Sequence, residues 1–139
     1  MFDESSFTQE IQNHKEELFL KKITDYEKHI APLMRAKGYT RINESERTVV
    51  FTFGQMTFSR SRWRRGDKTS CPVDDWLGLE KYVRYSSYFM YHLACHASMM
   101  PYRQVCRLVK RAYGLDITKD AVLKAVKRVD SLLDDKKRY

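Results

Sequence analysis

Between residue 5 and about residue 36 the apolar residues recur at steps of three and four, a spacing that gathers them on one side of a helix. Phe7, Ile11, His14 and Leu18 form one stripe. Phe19, Ile23, Tyr26, Ile30 and Leu33 resume it after a one-residue change of phase. A 3.6-residue repeat requires such a correction over this length. Gly38 stands where a helix of this extent would stop. A rod this long must fold back on its own domain or pair with a second helix in a dimerising coiled coil. Residues 1–45 are therefore expected to be a helical segment, and residues 46–139 a separate body.

Charge divides the chain near the same place. Residues 1–46 carry a net −2 and residues 47–139 a net +10, which together give the overall +8. A basic body behind a near-neutral leader suits a polyanion, because phosphates that gain protein cations release their counterions. With hydrophobic residues at 42% and aromatics at 13%, the body has the means for a packed core. Cys71, Cys95 and Cys106 cannot all pair, and no charged-then-apolar leader marks export, so reduced thiols and a cytoplasmic setting are expected. Residues 85–102 lack Asp, Glu, Lys and Arg. Their two His, their Ser and their Pro favour a buried helix over a membrane span.

Residues 47–63 alternate in the manner of a β-hairpin, with its turn expected at Gly54-Gln55. That register sets Phe53 opposite Met56, Phe51 opposite Phe58, Val49 opposite Arg60, and Arg47 opposite Arg62. The last pairing is unfavourable unless an anion lies nearby, so it hints at a phosphate. Trp63-Arg64-Arg65-Gly66-Asp67-Lys68 follows as a basic turn. Residues 69–79 connect, with Asp74 or Asp75 capping a short turn through Trp76 and Leu77.

The next helix is expected from about Glu80 to Ser98. It has Tyr82, Tyr85, Phe89, His92 and His96 on one face and apolar residues nearly all round, as a central helix should. Pro101 suits the first turn of a helix over 101–113 that buries Val105, Leu108 and Val109. Gly114 ends it, and Thr118 is placed to cap a last helix that turns Val122, Val126, Val129 and Leu133 inward. Residues 134–139 are expected to fray.

Two short amphipathic helices around a Gly-containing turn describe a helix-turn-helix, though this turn is longer than the tight form. Its second helix would enter the major groove with Thr118, Lys119, Asp120, Leu123, Lys124, Lys127 and Arg128. Arg103, Arg107 and Arg111 would grip phosphates, as would Arg60, Arg62, Arg64 and Arg65 of the hairpin and its turn. The plainer alternative is a helical hairpin with an ordinary basic surface.

Other chemistry has less to stand on. His92 and His96 lie four apart, a spacing at which imidazoles share zinc, but position 93 is Leu and no Cys-x-x-Cys occurs. Histidines in an aromatic core explain them better. Asp74-Asp75 is the one adjacent pair of aspartates before the tail, whereas two-metal nucleases need carboxylates from separated elements. No Gly-rich phosphate loop and no nucleophile motif is present, so neither a catalytic residue nor a cofactor is expected.

Four segments in consistent order carry a resemblance. The stretch from Glu46 to Arg60, Glu-Arg-Thr-Val-Val-Phe-Thr-Phe-Gly-Gln-Met-Thr-Phe-Ser-Arg, resembles the hairpin of ISLre-type insertion-sequence transposases. Asp75-Trp76-Leu77-Gly78-Leu79-Glu80-Lys81-Tyr82 is similar to that family's connector. Met100-Pro101-Tyr102-Arg103-Gln104-Val105 resembles its "S-Y-R-x-A" helix start, with Met-Pro where a small polar residue is usual. Ile117-Thr118-Lys119-Asp120-Ala121-Val122 resembles "V-S-x-x-T-V". The resemblance implies an amino-terminal DNA-binding fragment that recognises the terminal inverted repeats of a mobile element in the nucleoid. The catalytic RNase-H-like domain would lie downstream, so this chain by itself would be no enzyme.

The expected fold is thus α+β and mostly α: a long first helix, a β-hairpin, a buried central helix and a carboxyl-terminal helix-turn-helix. Double-stranded DNA is the expected partner, and a homodimer through the first helix is a second expectation. A dimerising regulatory module is the alternative function, and a small metal-dependent nuclease a more remote one.

Overall fold

The computed structural model describes the backbone of residues 1–137 and the side chains of residues 1–130. The architecture is α+β, with α1 (Glu4–Ala36), β1 (Thr40–Phe51), β2 (Gly54–Arg65), β3 (Lys68–Ser70), α2 (Pro72–Trp76), α3 (Ser87–Ala97), α4 (Tyr102–Tyr113) and α5 (Lys119–Lys137). Among the described residues no helix is long and apolar enough to cross a membrane. Contacts divide the chain into two units. One holds residues 1–49 and 55–84, the other residues 50–54 and the chain from residue 85 onward. The long helix and the hairpin strands thus share a unit, which the expected boundary at residues 45 and 46 would have separated.

Helix α1 begins at Asp3, whose carboxylate accepts from the backbone N–H groups of Ser5 and Ser6 and from the Ser6 hydroxyl. These bonds favour the charged form and hold the Asp3 carboxyl below its usual range. The helix passes through Pro32 and ends where Gly38 takes a φ of +88°. There the N–H of Tyr39 returns to the Met34 carbonyl and that of Gly38 to the Arg35 carbonyl, the paired bonds of a Schellman stop. The change of phase read from the sequence divides two faces. Phe19, Ile23 and Met34 are buried, whereas Phe7, Ile11 and Leu18 are exposed.

In the first unit β1, β2 and β3 form one sheet in that order. The β1–β2 turn is Thr52-Phe53, two residues earlier than expected, and the Thr48 and Thr57 hydroxyls meet at 2.8 Å across the strands. Gly54 leaves the turn with a φ of +131°, which side-chain-bearing residues rarely adopt. Glycine therefore marks the exit of this turn and not its first corner. The shift brings Val49, Met56 and Phe58 to the buried side, where Phe19 meets Phe58 edge-on at 5.6 Å. Gly66-Asp67 makes a second two-residue turn, after which Arg65 pairs with Lys68, Arg64 with Thr69 and Trp63 with Ser70. This third strand had no counterpart in the sequence reading, which left residues 69–79 as a connector.

Because β3 is only three residues long, β2 lacks that neighbour at Ser61. Glu27 of α1 supplies the missing acceptor, taking the buried Ser61 N–H at 2.7 Å. The Ser61 hydroxyl accepts from Arg41, itself paired with Glu44. Tyr26, one residue before Glu27, stacks on Trp76 of α2 at 4.3 Å. Burial, then Asp75 and Glu27 nearby, push the Tyr26 hydroxyl above its ordinary range.

The second unit is built on α3, α4 and α5. Helix α3 starts at Ser87, seven residues later than expected. Ser86 caps it, its hydroxyl accepting from Phe89 N–H while its own N–H reaches the Val50 carbonyl. Val50 and Tyr85 form a short parallel bridge there, so residue 85 is extended. Nor is α3 buried all round, since Phe89 and Leu93 lie inside while Tyr88 and Tyr91 face solvent. Val50, Phe89, Leu93, Val105, Val109, Val122 and Ala125 make the core. Each fully buried Val there contributes about 1.5–2 kcal/mol. Gly114 ends α4 at a φ of +68°, and the Thr118 hydroxyl accepts from Ala121 N–H to cap α5. Helix α5 continues through residues expected to fray, up to Lys137, while the Leu133 side chain and residues 138–139 lie outside the described set.

Glu27→Ala leaves the buried Ser61 N–H without its charged acceptor and should cost about 2 kcal/mol. The urea midpoint should fall at unchanged slope, and Glu27→Gln, which keeps an acceptor oxygen, should restore most of the loss. An unchanged midpoint for Glu27→Ala would reject that role.

Candidate nucleic-acid interface

The expected phosphate-gripping arginines of the hairpin are mostly spoken for. Asp74, in the first turn of α2, lies 3.1 Å from Arg47 and 3.3 Å from Arg60, and all three side chains are only 10–16% exposed. Arg60 also donates to the Ser45 carbonyl and hydroxyl and to the Glu46 carbonyl. Arg47 and Arg60 thus share a carboxylate of the chain itself, and the turn at Thr52-Phe53 displaces the register that would set Arg47 opposite Arg62. Asp74 is this acceptor and not a helix cap, since Cys71 occupies the cap position of α2. Arg64 bonds the Gly66 carbonyl. Arg65 lies over the Tyr39 ring at 4.9 Å and donates to the Lys37 carbonyl beyond the end of α1. Arg62 is exposed.

Arg47 has a second effect. Its guanidinium donates to the carbonyls of Glu80 and Val83, at 2.6 and 2.8 Å, and so engages acceptors that a helix over residues 80–86 would need. Between them Tyr82 holds a φ of +66°, the one described non-glycine residue with a left-handed backbone, and its ring is 85% exposed. Such conformations persist only where surrounding bonds enforce them. The result is a cleft of about 700 Å³ with Arg62, Lys81, Tyr82 and Arg84 on its exposed side and Arg47, Arg60 and Asp74 deeper in. Lys81 and Arg84 lie in a segment whose spacing predicts a helix, and their place beside the cleft follows only from the non-helical course that segment takes. Cys71 also lines this cleft, and burial pushes its thiol up to about 11.

In the second unit α4 and α5 sort their residues cleanly. Val105 and Val109 of α4 and Val122 and Ala125 of α5 are fully buried. Arg103, Arg107, Lys110 and Arg111 of α4 are exposed, as are Lys119, Asp120, Lys124 and Lys127 of α5. Leu123, 37% exposed, lies among the last group. Arg128 is half-buried and Thr118 is exposed with its hydroxyl on the helix cap. Lys110 pairs with Asp116 at 3.2 Å across the five-residue link 114–118.

No ligand set accompanies these cations. Among the described residues no three of His, Cys, Asp and Glu converge on one point. His92 is half-buried with its ring edge-on to Tyr88 at 4.7 Å. Asp74 is buried and paired while its neighbour Asp75 is exposed.

Comparison with known proteins adds one likeness. The chain is similar to a UPF0236 protein in the vanSb 3′ region of Streptococcus gallolyticus, with 32% identity over 124 residues. The match covers 88% of this chain and 26% of that protein, so the chain spans about a quarter of its relative's length. No family model matches the chain.

Two measurements check the cleft. Asp74→Ala leaves two poorly exposed guanidinium groups without their carboxylate and should cost about 3 kcal/mol in urea unfolding, far more than an exposed pair such as Lys110–Asp116. Equal losses for Asp74→Ala and Asp116→Ala would contradict that. A thiol titrating near 11 stays protonated at pH 8, so Cys71 should react with a thiol-specific disulfide reagent only on unfolding or near pH 11. Rapid labelling of Cys71 in the native protein at pH 8 would contradict the raised pKa of this half-buried thiol.

Proposed function

We propose that this chain binds duplex DNA through α4 and α5, as the end-recognising part of a transposase-like protein. The carrying observation is the division of these two helices into a buried valine face and an exposed cationic one. In this reading α5 enters the major groove. A helix fits that groove, and its amino-terminal residues reach base edges first. Lys119, Asp120, Leu123, Lys124 and Lys127 are the residues so presented, with Thr118 fixing where the helix begins. Arg103, Arg107 and Arg111 fall at helical spacing on α4 and serve phosphates, which positions the protein without reading sequence. The five-residue link is longer than a tight helix-turn-helix allows. Gly114 and the Lys110–Asp116 pair give it a defined course all the same.

The likeness to a UPF0236 protein, from a family of transposase-like proteins, supports the assignment to a mobile element. The four motif segments read from the sequence point the same way, and they make terminal inverted repeats the natural ligand. The reading gives this segment DNA recognition and no bond-breaking step. Arg62, Lys81 and Arg84 around the first unit's cleft would add further phosphate contacts, and the exposed Tyr82 ring an aromatic one.

Fluorescence anisotropy on terminal-repeat duplex tests it. Lys124→Ala and Lys127→Ala should each weaken binding about tenfold. Arg107→Ala should lower the slope of log affinity against log salt by about one, on any duplex. Wild-type affinity and slope in all three variants would reject the interface.

A further inference from the structure

The amino-terminal half of α1 carries a second apolar face that its own unit leaves uncovered. Phe7, Ile11 and Leu18 are 46%, 43% and 52% exposed, and His14 between them is exposed too. At 100° per residue this stripe lies roughly 140° around the helix from Phe19, Ile23 and Met34, which face the sheet. It is therefore no loose edge of the core contact. Among residues 4–18 even the least exposed, Gln12, is only half-buried. The helix projects, and its stripe points away from what the rest of α1 covers.

The steps from 7 to 11, 14 and 18 are four, three and four, the a/d spacing of a coiled coil. With Phe7 and His14 at d and Ile11 and Leu18 at a, the flanking positions follow without choice. Glu10 and Glu17 occupy successive g positions, and Lys15 and Lys22 successive e positions. In a parallel two-stranded coil each g residue faces the e residue five places on in the partner helix. Glu10 then meets Lys15 of a second copy, and Glu17 meets Lys22, twice over by symmetry. An antiparallel pair would instead set Glu beside Glu and Lys beside Lys. All four charged residues are exposed and have no ion pair within the described chain.

We infer that residues 7–22 of α1 form a parallel, two-stranded coiled coil with a second copy of this chain, the exposed stripe at its seam and Glu10–Lys15 and Glu17–Lys22 pairs along its edges. The helix is already held by Glu27, Phe19 and Tyr26 in its own unit, so pairing orders little new backbone. That offsets the short length of the seam. His14 and, at the next d position, Lys21 are the polar residues of this seam, of the kind that fixes register at a cost in strength.

Sedimentation equilibrium of the intact chain between about 10 and 200 μM reads the outcome, a useful span for a seam of two heptads. The expected result is a mass approaching twice 16.6 kDa. Ile11→Asp and Leu18→Asp should be monomers throughout and melt as the wild type does at concentrations low enough to dissociate it, since both residues are exposed in the monomer. The double variant Glu10→Lys/Glu17→Lys should associate at least tenfold more weakly with itself. Mixed with Lys15→Glu/Lys22→Glu it should form a one-to-one heterodimer. Leu18→Cys should yield an 18–18 disulfide between chains under an oxidant that leaves the wild type uncrosslinked. A monomeric wild type, or dimers indifferent to the stripe and charge variants, would overturn the proposal. A dimer in which Leu18→Cys gives no crosslink would overturn its parallel seam. DNA affinity per monomer is a separate readout, so this proposal and the one before it can fail independently.

Discussion

A single carboxylate governs the charge arrangement of the first unit. Asp74 accepts from Arg47 of β1 and Arg60 of β2, and so ties α2 to two adjacent strands. Placing three charged groups at 10–16% exposure forfeits much hydration, and their mutual attraction alone would do little more than balance that loss. What makes the arrangement worthwhile is geometry. Arg47, oriented by Asp74, also takes the carbonyls of Glu80 and Val83, which stops a helix from extending back over residues 80–86. The left-handed Tyr82 follows from that tether, and with it the exposure of Lys81 and Arg84 around the cleft.

Helix α1 is organised by a different constraint, the mismatch between 3.6 residues per turn and a fixed contact direction. From residue 19 onward Phe19, Ile23 and Met34 are buried, helped by Glu27 on Ser61 and by Tyr26 on Trp76, while Leu20 and Leu33 stay exposed. Before residue 19 the apolar positions occupy another face. One helix thus serves two surfaces, and the one-residue phase change between Leu18 and Phe19 is the hand-over. A helix that merely drifted around one core would bury Phe7 and Ile11 to some degree as well. Both remain more than 40% exposed.

Local chemistry was legible in the sequence and tertiary partnership was not. The limits of α1, its stop at Gly38 and the Thr118 cap follow from rules that act over four or five residues. The hairpin's existence followed from alternation, but its turn was misplaced, because Gly54 suggests a corner where it provides an exit. Residues 80–86 read as helix because nothing nearby announces Arg47, 33 residues before Glu80 and 36 before Val83, as the claimant of their carbonyls. β3 went unseen for a related reason: Lys-Thr-Ser has no apolar pattern and pairs only because Gly66-Asp67 folds it against β2. Of the candidate site, the α4–α5 cations other than half-buried Arg128 lie exposed as the periodicity implies, whereas the role of Arg60 depended on a carboxylate fourteen residues away.

Net charge therefore says less about a nucleic-acid surface than the fate of each cation does. Residues 47–139 carry a net +10, yet Arg47 and Arg60 are turned inward on Asp74, and Arg65 lies on Tyr39 and the Lys37 carbonyl. Arg47 and Arg60 raise the overall field with their guanidinium groups turned inward, and exposed Arg65 has one of its nitrogens committed to the Lys37 carbonyl. The cations of α4 and α5 differ in kind, because a valine or alanine one helical turn or less away is fully buried and fixes the orientation of each backbone position. An exposed lysine on a rigid helix surrenders less freedom when it meets a phosphate than one on a mobile loop. The buried valines and the exposed lysines are thus one feature: the core decides which face of α5 is left to solvent, and the lysines make that face cationic.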